Sequence, residues 1–156
     1  EMCIRDRGSY APVAVSANFS IGVAVLKHLA AEAAALLPDF DIEIIETHHR
    51  MKKDAPSGTA KLLLSAVNPD GTHPTVFGRE GFAPRTADEI GVHAVRGGTV
   101  AGVHTVSFFG DEEELSLTHR AESRRIFAIG ALKTAEKLKD APVGLHTLDE
   151  LLFARR

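Results

Sequence analysis

Cysteine, tryptophan and long apolar runs are scarce in this sequence, and each shortage excludes a class of protein. The 156 residues include one cysteine, Cys3, and no tryptophan. A single cysteine rules out an internal disulfide framework and fits a reducing compartment. No apolar run approaches the roughly 18 residues that a membrane-spanning helix needs. The first residues are charged and lack the apolar centre of a signal peptide, so we expect a cytoplasmic protein.

Excess charge and glycine-rich nucleotide loops are lacking as well. The formal net charge is −3, which gives the chain no general attraction for nucleic acid. The sequence contains no Gly-x-x-x-x-Gly-Lys-Ser/Thr, no Gly-x-Gly-x-x-Gly and no Gly-x-Ser-x-Gly, which excludes the common phosphate loops and the serine-hydrolase motif. The whole sequence is 44% hydrophobic and 25% charged, which is typical of a globular domain with a core.

The start of the chain differs from the rest. Residues 1–10 alternate charged and apolar side chains without a sustained period, so we interpret them as a truncated or non-native amino terminus and give Cys3 no role. One domain is expected over residues 11–140, because a chain of this length is long enough for one core and too short for two. Residues 141–156 are predicted to form a tail with a short helix, which begins at a capping box of Thr147 and Glu150.

Patterns of apolar residues predict an α+β fold. The predicted strands are residues 13–15, 41–47, 75–78, 90–96, 99–109 and 114–119. The predicted helices are residues 21–37, 59–67, 123–138 and 148–153. Gly97-Gly98 predicts a hairpin between two of the strands. The order of these elements predicts a mixed β-sheet with helices packed on one face.

Residues 46–60 gather chemically active side chains at one strand-to-helix junction, where α/β proteins commonly place ligands. The segment reads Glu-Thr-His-His-Arg-Met-Lys-Lys-Asp-Ala-Pro-Ser-Gly-Thr-Ala. His48 and His49 are adjacent on an extended backbone and face opposite ways, so only one of them can serve a given cleft as a proton donor. The alternative is a pair of surface histidines at the end of a strand.

Cations and a helix start follow these histidines. Arg50, Lys52 and Lys53 precede Ser57, Gly58 and Thr59, and Ser57 is the expected N-cap of the next helix. Helix N-termini attract anions, and a glycine lets a ligand approach the backbone. The alternative is an ordinary capped helix with solvated lysines. We expect no metal, because the segment lacks the usual ligand spacing and its cations oppose a dication.

Residues 46–60 resemble the signature of the dihydrodipicolinate reductase family, also called 4-hydroxy-tetrahydrodipicolinate reductases, of lysine biosynthesis. Residues 16–23, 78–81, 95–98 and 118–124 are similar to further parts of that family, so the resemblance covers about residues 11–152. It implies that His48 is the proton donor, with Lys52 assisting. It also implies that the substrate, a small dicarboxylate, is held through its carboxylates by four residues: His49, Ser57, Gly58 and Thr59.

The resemblance also implies a pyridine-nucleotide cofactor, NADPH or NADH. Ser16, Ala17, Asn18 and Phe19 would lie against its nicotinamide end. The family's Rossmann domain, which carries the glycine-rich nucleotide loop, has no counterpart in this sequence, so we expect the C-terminal domain of a two-domain reductase that is inactive by itself. Met51 stands where many relatives carry another histidine.

A homotetramer through residues 90–119 is a further implication of the resemblance. We interpret the alternation of Val92 with Ala94 and of Val106 with Phe108 as placing apolar residues on both faces of the sheet. A non-catalytic oligomerisation or binding module derived from the same fold is the alternative function. His48 and Lys52 discriminate between the two, because a pure assembly module has no need of that pair.

Overall fold

The computed structural model describes residues 6–153, so Cys3 and the rest of residues 1–5 lie outside the described residues. Strands β1 to β7 are Pro12–Ala14, Asp41–His48, Thr75–Phe77, Ile90–Arg96, Gly102–Gly110, Glu113–Ala121 and Gly144–His146. Helices α1 to α4 are Ile21–Leu36, Gly58–Val67, Arg125–Leu138 and Leu148–Phe153. The described chain forms two compact units: residues 6–24 with 124–153, and residues 25–123.

The second unit is built on a five-stranded sheet in the order β3-β4-β2-β5-β6. The central strand β2 runs parallel to β4 and antiparallel to β5, which makes the sheet mixed. Ile44 of β2 lies between Val92 of β4 and Val106 of β5, and this row forms the middle of the core. The α+β prediction with a mixed sheet is therefore confirmed.

The helices cover one face of this sheet. Because side chains alternate along a strand, one face of β2 carries Ile42 and Ile44, and the same face continues to the end of the strand. The helical side chains packed in the core are Leu26, Ala30 and Ala33 of α1 and Ala60, Leu63 and Val67 of α2. Burial of these side chains stabilises the unit by the hydrophobic effect, and each contributes in proportion to its apolar area.

Local signals fix several element ends as predicted. The Ser57 hydroxyl accepts the Ala60 N–H at 3.1 Å and begins α2. Thr147 and Glu150 form the expected capping box, in which the Thr147 N–H donates to the Glu150 carboxylate at 2.7 Å and the Glu150 N–H donates to the Thr147 hydroxyl at 3.2 Å. The turn after α2 uses Gly71, whose φ of 68° favours glycine.

The predicted hairpin at Gly97-Gly98 is wrong. Strands β4 and β5 do not pair, because the earlier strand β2 lies between them. The two glycines instead pass across the end of β2, where the Gly97 N–H donates to the His48 carbonyl at 2.9 Å and the Gly98 carbonyl accepts the Arg50 N–H at 3.2 Å. Residues 99–101, predicted as strand, belong to this crossing, and β5 begins at Gly102.

Both faces of the sheet carry apolar residues, as predicted, but the residues on which the prediction relied do not lie on both faces. Val92, Val106 and Phe108 share the helix-covered face and are almost fully buried. The opposite face exposes Ile45 and Val95 among polar neighbours. Strand alternation shows which residues of a strand share a face, but it does not show which face of the sheet the helices cover.

The first unit holds a small parallel pair, β1 with β7, and the sequence patterns did not predict β7. The residues of β1 are half-buried, although the β-branched run predicted a buried strand. Helix α3 packs closely against the loop before α1. The closeness is evident at Gly130, where a Cβ would lie 1.8 Å from the Phe19 carbonyl oxygen. None of the helices described over residues 6–153 is both long and apolar enough to cross a membrane.

Candidate active site

The candidate site lies where β2 ends and α2 begins, within the second unit. The face of β2 that supplies Ile42 and Ile44 to the core continues to Glu46 and His48. Two polar side chains therefore occupy positions that the alternation assigns to the interior. Glu46 is fully buried and His48 is 8% exposed. Burying a polar side chain costs free energy unless it is hydrogen-bonded, and both side chains have hydrogen-bond partners.

Glu46 is the most heavily bonded carboxylate of this site. Its Oε2 accepts from His48 Nδ1 at 2.5 Å, and its two oxygens accept a bidentate pair from Arg96 at 2.8 Å each. The Ser57 N–H donates to Oε1 at 3.0 Å. Burial alone would raise the pKa of Glu46, but the bonds from Arg96, His48 and Ser57 outweigh it and hold the pKa below its usual value. Glu46 is therefore ionised at neutral pH.

The Glu46 bond orients the His48 ring. With Nδ1 held by the carboxylate, Nε2 is the nitrogen that can exchange a proton with a ligand. A Cβ on Gly102 would lie 3.1 Å from that Nε2, so glycine at this position keeps the nitrogen unobstructed. Glu46 also places a carboxylate oxygen against the ring, an arrangement that suits the proton-donor role proposed below.

A second histidine completes the buried cluster. His104 of β5 lies edge-on to His48, with ring centroids 5.0 Å apart and an interplanar angle of 73°. Its Nε2 is 3.2 Å from the Ser57 hydroxyl. Burial, followed by the charge of His48, lowers the pKa of His104 to about 4, so the ring is neutral at physiological pH. The sequence patterns did not indicate this residue as part of the site.

The start of α2 carries the residues that were predicted to bind an anion. Ser57 bonds the Ala60 N–H through its hydroxyl and the Lys61 N–H through its carbonyl, and the amides of Gly58 and Thr59 head the helix. A Cβ on Gly58 would meet no atom within 4 Å, so the position beside Gly58 is unobstructed, whereas the Ser57 side chain is buried. The positive end of the helix dipole adds to the attraction for a carboxylate.

Lys52 belongs to the same electrostatic neighbourhood. Its ammonium forms an ion pair with Asp54 at 2.8 Å, and this bond lowers the pKa of Asp54. The charges of Lys52 and His48 both contribute to the low pKa of His104. His49 follows β2 and is half-buried, and its carbonyl accepts the Lys52 N–H at 3.1 Å.

The predicted cofactor residues lie in the first unit, in the loop between β1 and α1. The Ser16 hydroxyl donates to the Asn18 carbonyl at 2.7 Å, and the Asn18 side-chain oxygen accepts the Ser20 N–H at 2.8 Å. Ala17 and Phe19 complete the loop, so its shape is fixed by its own hydrogen bonds. Its role toward a cofactor stays a prediction.

Three members of the buried cluster were not predicted as site residues: Glu46, Arg96 and His104. Glu46 was expected only as part of the segment of residues 46–60, with no role of its own. Its position two residues before His48 was the available signal, because strand alternation places both on one face. Within residues 6–153 no group of three or more His, Cys, Asp or Glu residues is arranged to hold a metal ion.

Comparison with known proteins identifies the family of this domain. The family described as dihydrodipicolinate reductase, C-terminus, matches residues 22–152. The chain is 48% identical over 142 residues to the 4-hydroxy-tetrahydrodipicolinate reductase of Methanocorpusculum labreanum, which covers 90% of this chain and 56% of the relative. It is 44% identical over 151 residues to that of Brachyspira hyodysenteriae, which covers 96% and 65%.

A solved structure agrees with this family. The dipicolinate-bound dihydrodipicolinate reductase from Paenisporosarcina sp. TG-14 superposes with a TM-score of 0.73 at 27% identity, over 92% of this chain and 55% of that chain. The mixed sheet, with a carboxylate–histidine pair beside a helix N-terminus, defines a domain equipped for acid–base chemistry on an anion. The chain belongs to the dihydrodipicolinate reductase family, as its resemblance predicted. It spans 52% to 65% of the length of the curated relatives that it matches.

Proposed function

We propose that this chain carries the proton donor and the substrate-carboxylate site of a 4-hydroxy-tetrahydrodipicolinate reductase. The reaction reduces dihydrodipicolinate, which forms from its hydroxylated precursor by loss of water, to tetrahydrodipicolinate, in the cytoplasmic biosynthesis of diaminopimelate and lysine. The observation that carries the proposal is the buried Glu46–His48 pair at 2.5 Å, next to the N-terminus of α2. A module that only assembles subunits gains nothing from a buried, oriented acid–base pair.

The proposed chemistry adds one hydride and one proton to a conjugated cyclic imine. NADPH or NADH supplies the hydride when bound. His48 Nε2 gives its proton to the carbon next to the one that receives the hydride, and Glu46 stabilises the ring while it is charged. Lys52 assists, either by holding the substrate close to His48 or by restoring its proton from solvent once the Asp54 pair opens.

The two carboxylates of the substrate are assigned to the start of α2 and to His49. The amides of Gly58 and Thr59, with the Ser57 hydroxyl, suit one carboxylate through short charge-assisted hydrogen bonds. His49 takes part in holding the second. The Paenisporosarcina reductase binds dipicolinate, a flat dicarboxylate of similar size, which supports this class of ligand.

The residues proposed to face the nicotinamide are Ser16, Ala17, Asn18 and Phe19. Their loop fits a neutral ring, because its polar groups are bonded within the loop and none of the four side chains is charged. The sequence has no glycine-rich nucleotide loop, so we expect the purified chain alone to consume no NADPH.

Calorimetry with dipicolinate tests the substrate site on the chain as it stands. We expect binding to the wild-type chain and a loss of about tenfold or more in His49→Ala, because a hydrogen bond to a charged group contributes roughly 1.5–3 kcal/mol. Lys133→Ala is the control, because Lys133 is exposed on α3. Failure of the wild-type chain to bind dipicolinate, or equal binding by His49→Ala, would contradict the assigned site.

Turnover is tested in a chimera that replaces the matching 142 residues of the M. labreanum reductase by those of this chain. The chimera is expected to oxidise NADPH only when the dihydrodipicolinate substrate is present. A folded chimera that binds dipicolinate but has no reductase activity would refute the catalytic part of the proposal and leave the binding part standing.

A further inference from the structure

We infer that His104 is a positioning residue of this site: its ring turns the Ser57 hydroxyl toward the bound carboxylate and supports the side of the His48 imidazole. The inference deepens the proposed function and rests on it. His104 comes from β5, on a different strand from His48, and reaches both halves of the site. It contacts the helix start through Ser57 and the proton donor through ring packing.

The first step concerns which nitrogen of His104 carries the proton. Nδ1 is buried and has no hydrogen-bond partner. An unpaired buried N–H is rarer in proteins than an unpaired acceptor, so the proton belongs on Nε2. Nε2 lies 3.2 Å from the Ser57 hydroxyl oxygen, and it therefore donates to that oxygen.

The second step follows from the bonds of the Ser57 hydroxyl. Its oxygen accepts from the Ala60 N–H as the helix cap and from His104 Nε2, which uses both of its lone pairs. The hydroxyl hydrogen is then left for a third group. Ser57 is itself buried, so this hydrogen can serve only a ligand that binds directly against the start of α2, and a carboxylate there would make Ser57 a donor to the ligand as well as a cap.

The third step concerns charge. The ring of His104 contacts His48 and lies within the electrostatic influence of Glu46, His119 and Lys52, and burial followed by the charge of His48 keeps its pKa at about 4. A neutral ring is required, because a charged ring would repel the His48 imidazolium and the Lys52 ammonium. A neutral aromatic edge can support a charged imidazole without competing for the proton that His48 delivers.

Two substitutions separate hydrogen bonding from simple packing. In His104→Gln the side-chain amide nitrogen occupies roughly the place of Nε2 and can still donate to Ser57. In His104→Phe the ring shape remains but the donor is lost. His119→Phe is the matched control, because His119 is the cross-strand partner of His104 and also has a buried Nδ1 without a partner.

Dipicolinate affinity by calorimetry and hydrogen exchange of the Ala60 amide are the readouts. His104→Phe is expected to weaken binding by about tenfold or more and to speed Ala60 exchange, because one charge-assisted bond and one cap are weakened. His104→Gln and His119→Phe should differ little from the wild type. Affinity and exchange unchanged in His104→Phe, or equal losses in the Gln and Phe variants, would overturn the inference.

Failure of the proposed function is distinguishable from failure of this inference. If the wild-type chain does not bind dipicolinate, the substrate assignment is wrong, and exchange of the Ala60 amide in the same variants still decides whether His104 holds Ser57. If His104→Phe does not fold, His104→Asn replaces it, because the shorter amide cannot reach the Ser57 hydroxyl. Circular dichroism of each variant establishes folding before binding is measured.

Discussion

His48 and Glu46 share one face of β2, and their side chains meet at 2.5 Å although Glu46 has no exposure to solvent. A buried carboxylate that already holds Arg96 through two bonds is a fixed counter-charge, which cannot rotate away from the imidazole. The pair therefore sets the direction of His48 Nε2 and places a negative charge beside the ring. The same carboxylate accepts the Ser57 N–H, so the proposed proton donor and the proposed anion site are both bonded to one group.

Replacement of His48 by alanine tests the proton donor. In the chimera we expect turnover to fall by about 10²–10⁴, the usual contribution of general acid catalysis, with a smaller change in dipicolinate affinity. Steady-state NADPH oxidation and calorimetry measure the two quantities. His49→Ala provides the contrast, because it should raise KM more than it lowers kcat. Near-normal turnover in His48→Ala would assign the donor elsewhere.

Replacement of Glu46 by glutamine removes the counter-charge but keeps the side-chain shape. We expect the free energy of unfolding to fall by about 3–5 kcal/mol, because Arg96 loses its buried partner. Turnover of the chimera should also fall, with KM little changed, because the charged form of His48 loses its support. Urea denaturation and kinetics measure these effects. Glu136→Gln is the control for a general loss of negative charge, because Glu136 is exposed on α3. A Glu46→Gln variant as stable as the wild type would contradict this account.

The pKa of His104 predicts how stability depends on pH. Its value of about 4 in the folded chain lies below the ordinary 6.5, so the unfolded chain binds more protons between these pH values. The free energy of unfolding is therefore full above pH 6.5 and falls as the pH is lowered toward 4, by roughly 3 kcal/mol from this residue. Burial lowers the pKa of His119 too and adds in the same direction.

His104→Gln isolates the part that belongs to His104. Urea denaturation of wild type and variant across this pH range should give a shallower dependence for the variant. His119→Gln measures the second contribution separately. Parallel curves for wild type and His104→Gln would show that His104 titrates normally in the folded chain.

Gly58→Ala separates ligand binding from helix stability. A Cβ at this position meets no atom within 4 Å, so the melting temperature should be unchanged or slightly raised, since alanine favours helix over glycine. The methyl group would project into the space assigned to the carboxylate and reduce dipicolinate affinity. Thermal melts and calorimetry are compared with Ser65→Ala, an exposed site on α2. Unchanged affinity in Gly58→Ala would move the carboxylate away from the helix start.

Sequence patterns predicted the parts of the site that depend on near neighbours. The Ser57 cap acts over three residues, and the end of β2 follows from a short apolar alternation, so both were predicted correctly. Arg96 reaches Glu46 across 50 residues of chain, and His104 reaches Ser57 across 47. These contacts depend on β2 lying between β4 and β5, an arrangement that no local pattern encodes.

The predicted homotetramer through residues 90–119 is the last test. The helix-free face of the sheet exposes Val95 and Ile45, at 47% and 41%, and its remaining surface is largely polar. Two such faces can pack across a symmetry axis with these side chains at the centre. Light scattering should therefore give a mass of four chains for the chimera and self-association for this chain at micromolar concentration. Val95→Lys should reduce the mass, because it places a charge at the centre of the contact, whereas Leu132→Lys on exposed α3 should not. A strictly monomeric mass for both proteins would remove the hypothesis, and a Val95→Lys variant that remains tetrameric would move the interface away from this face.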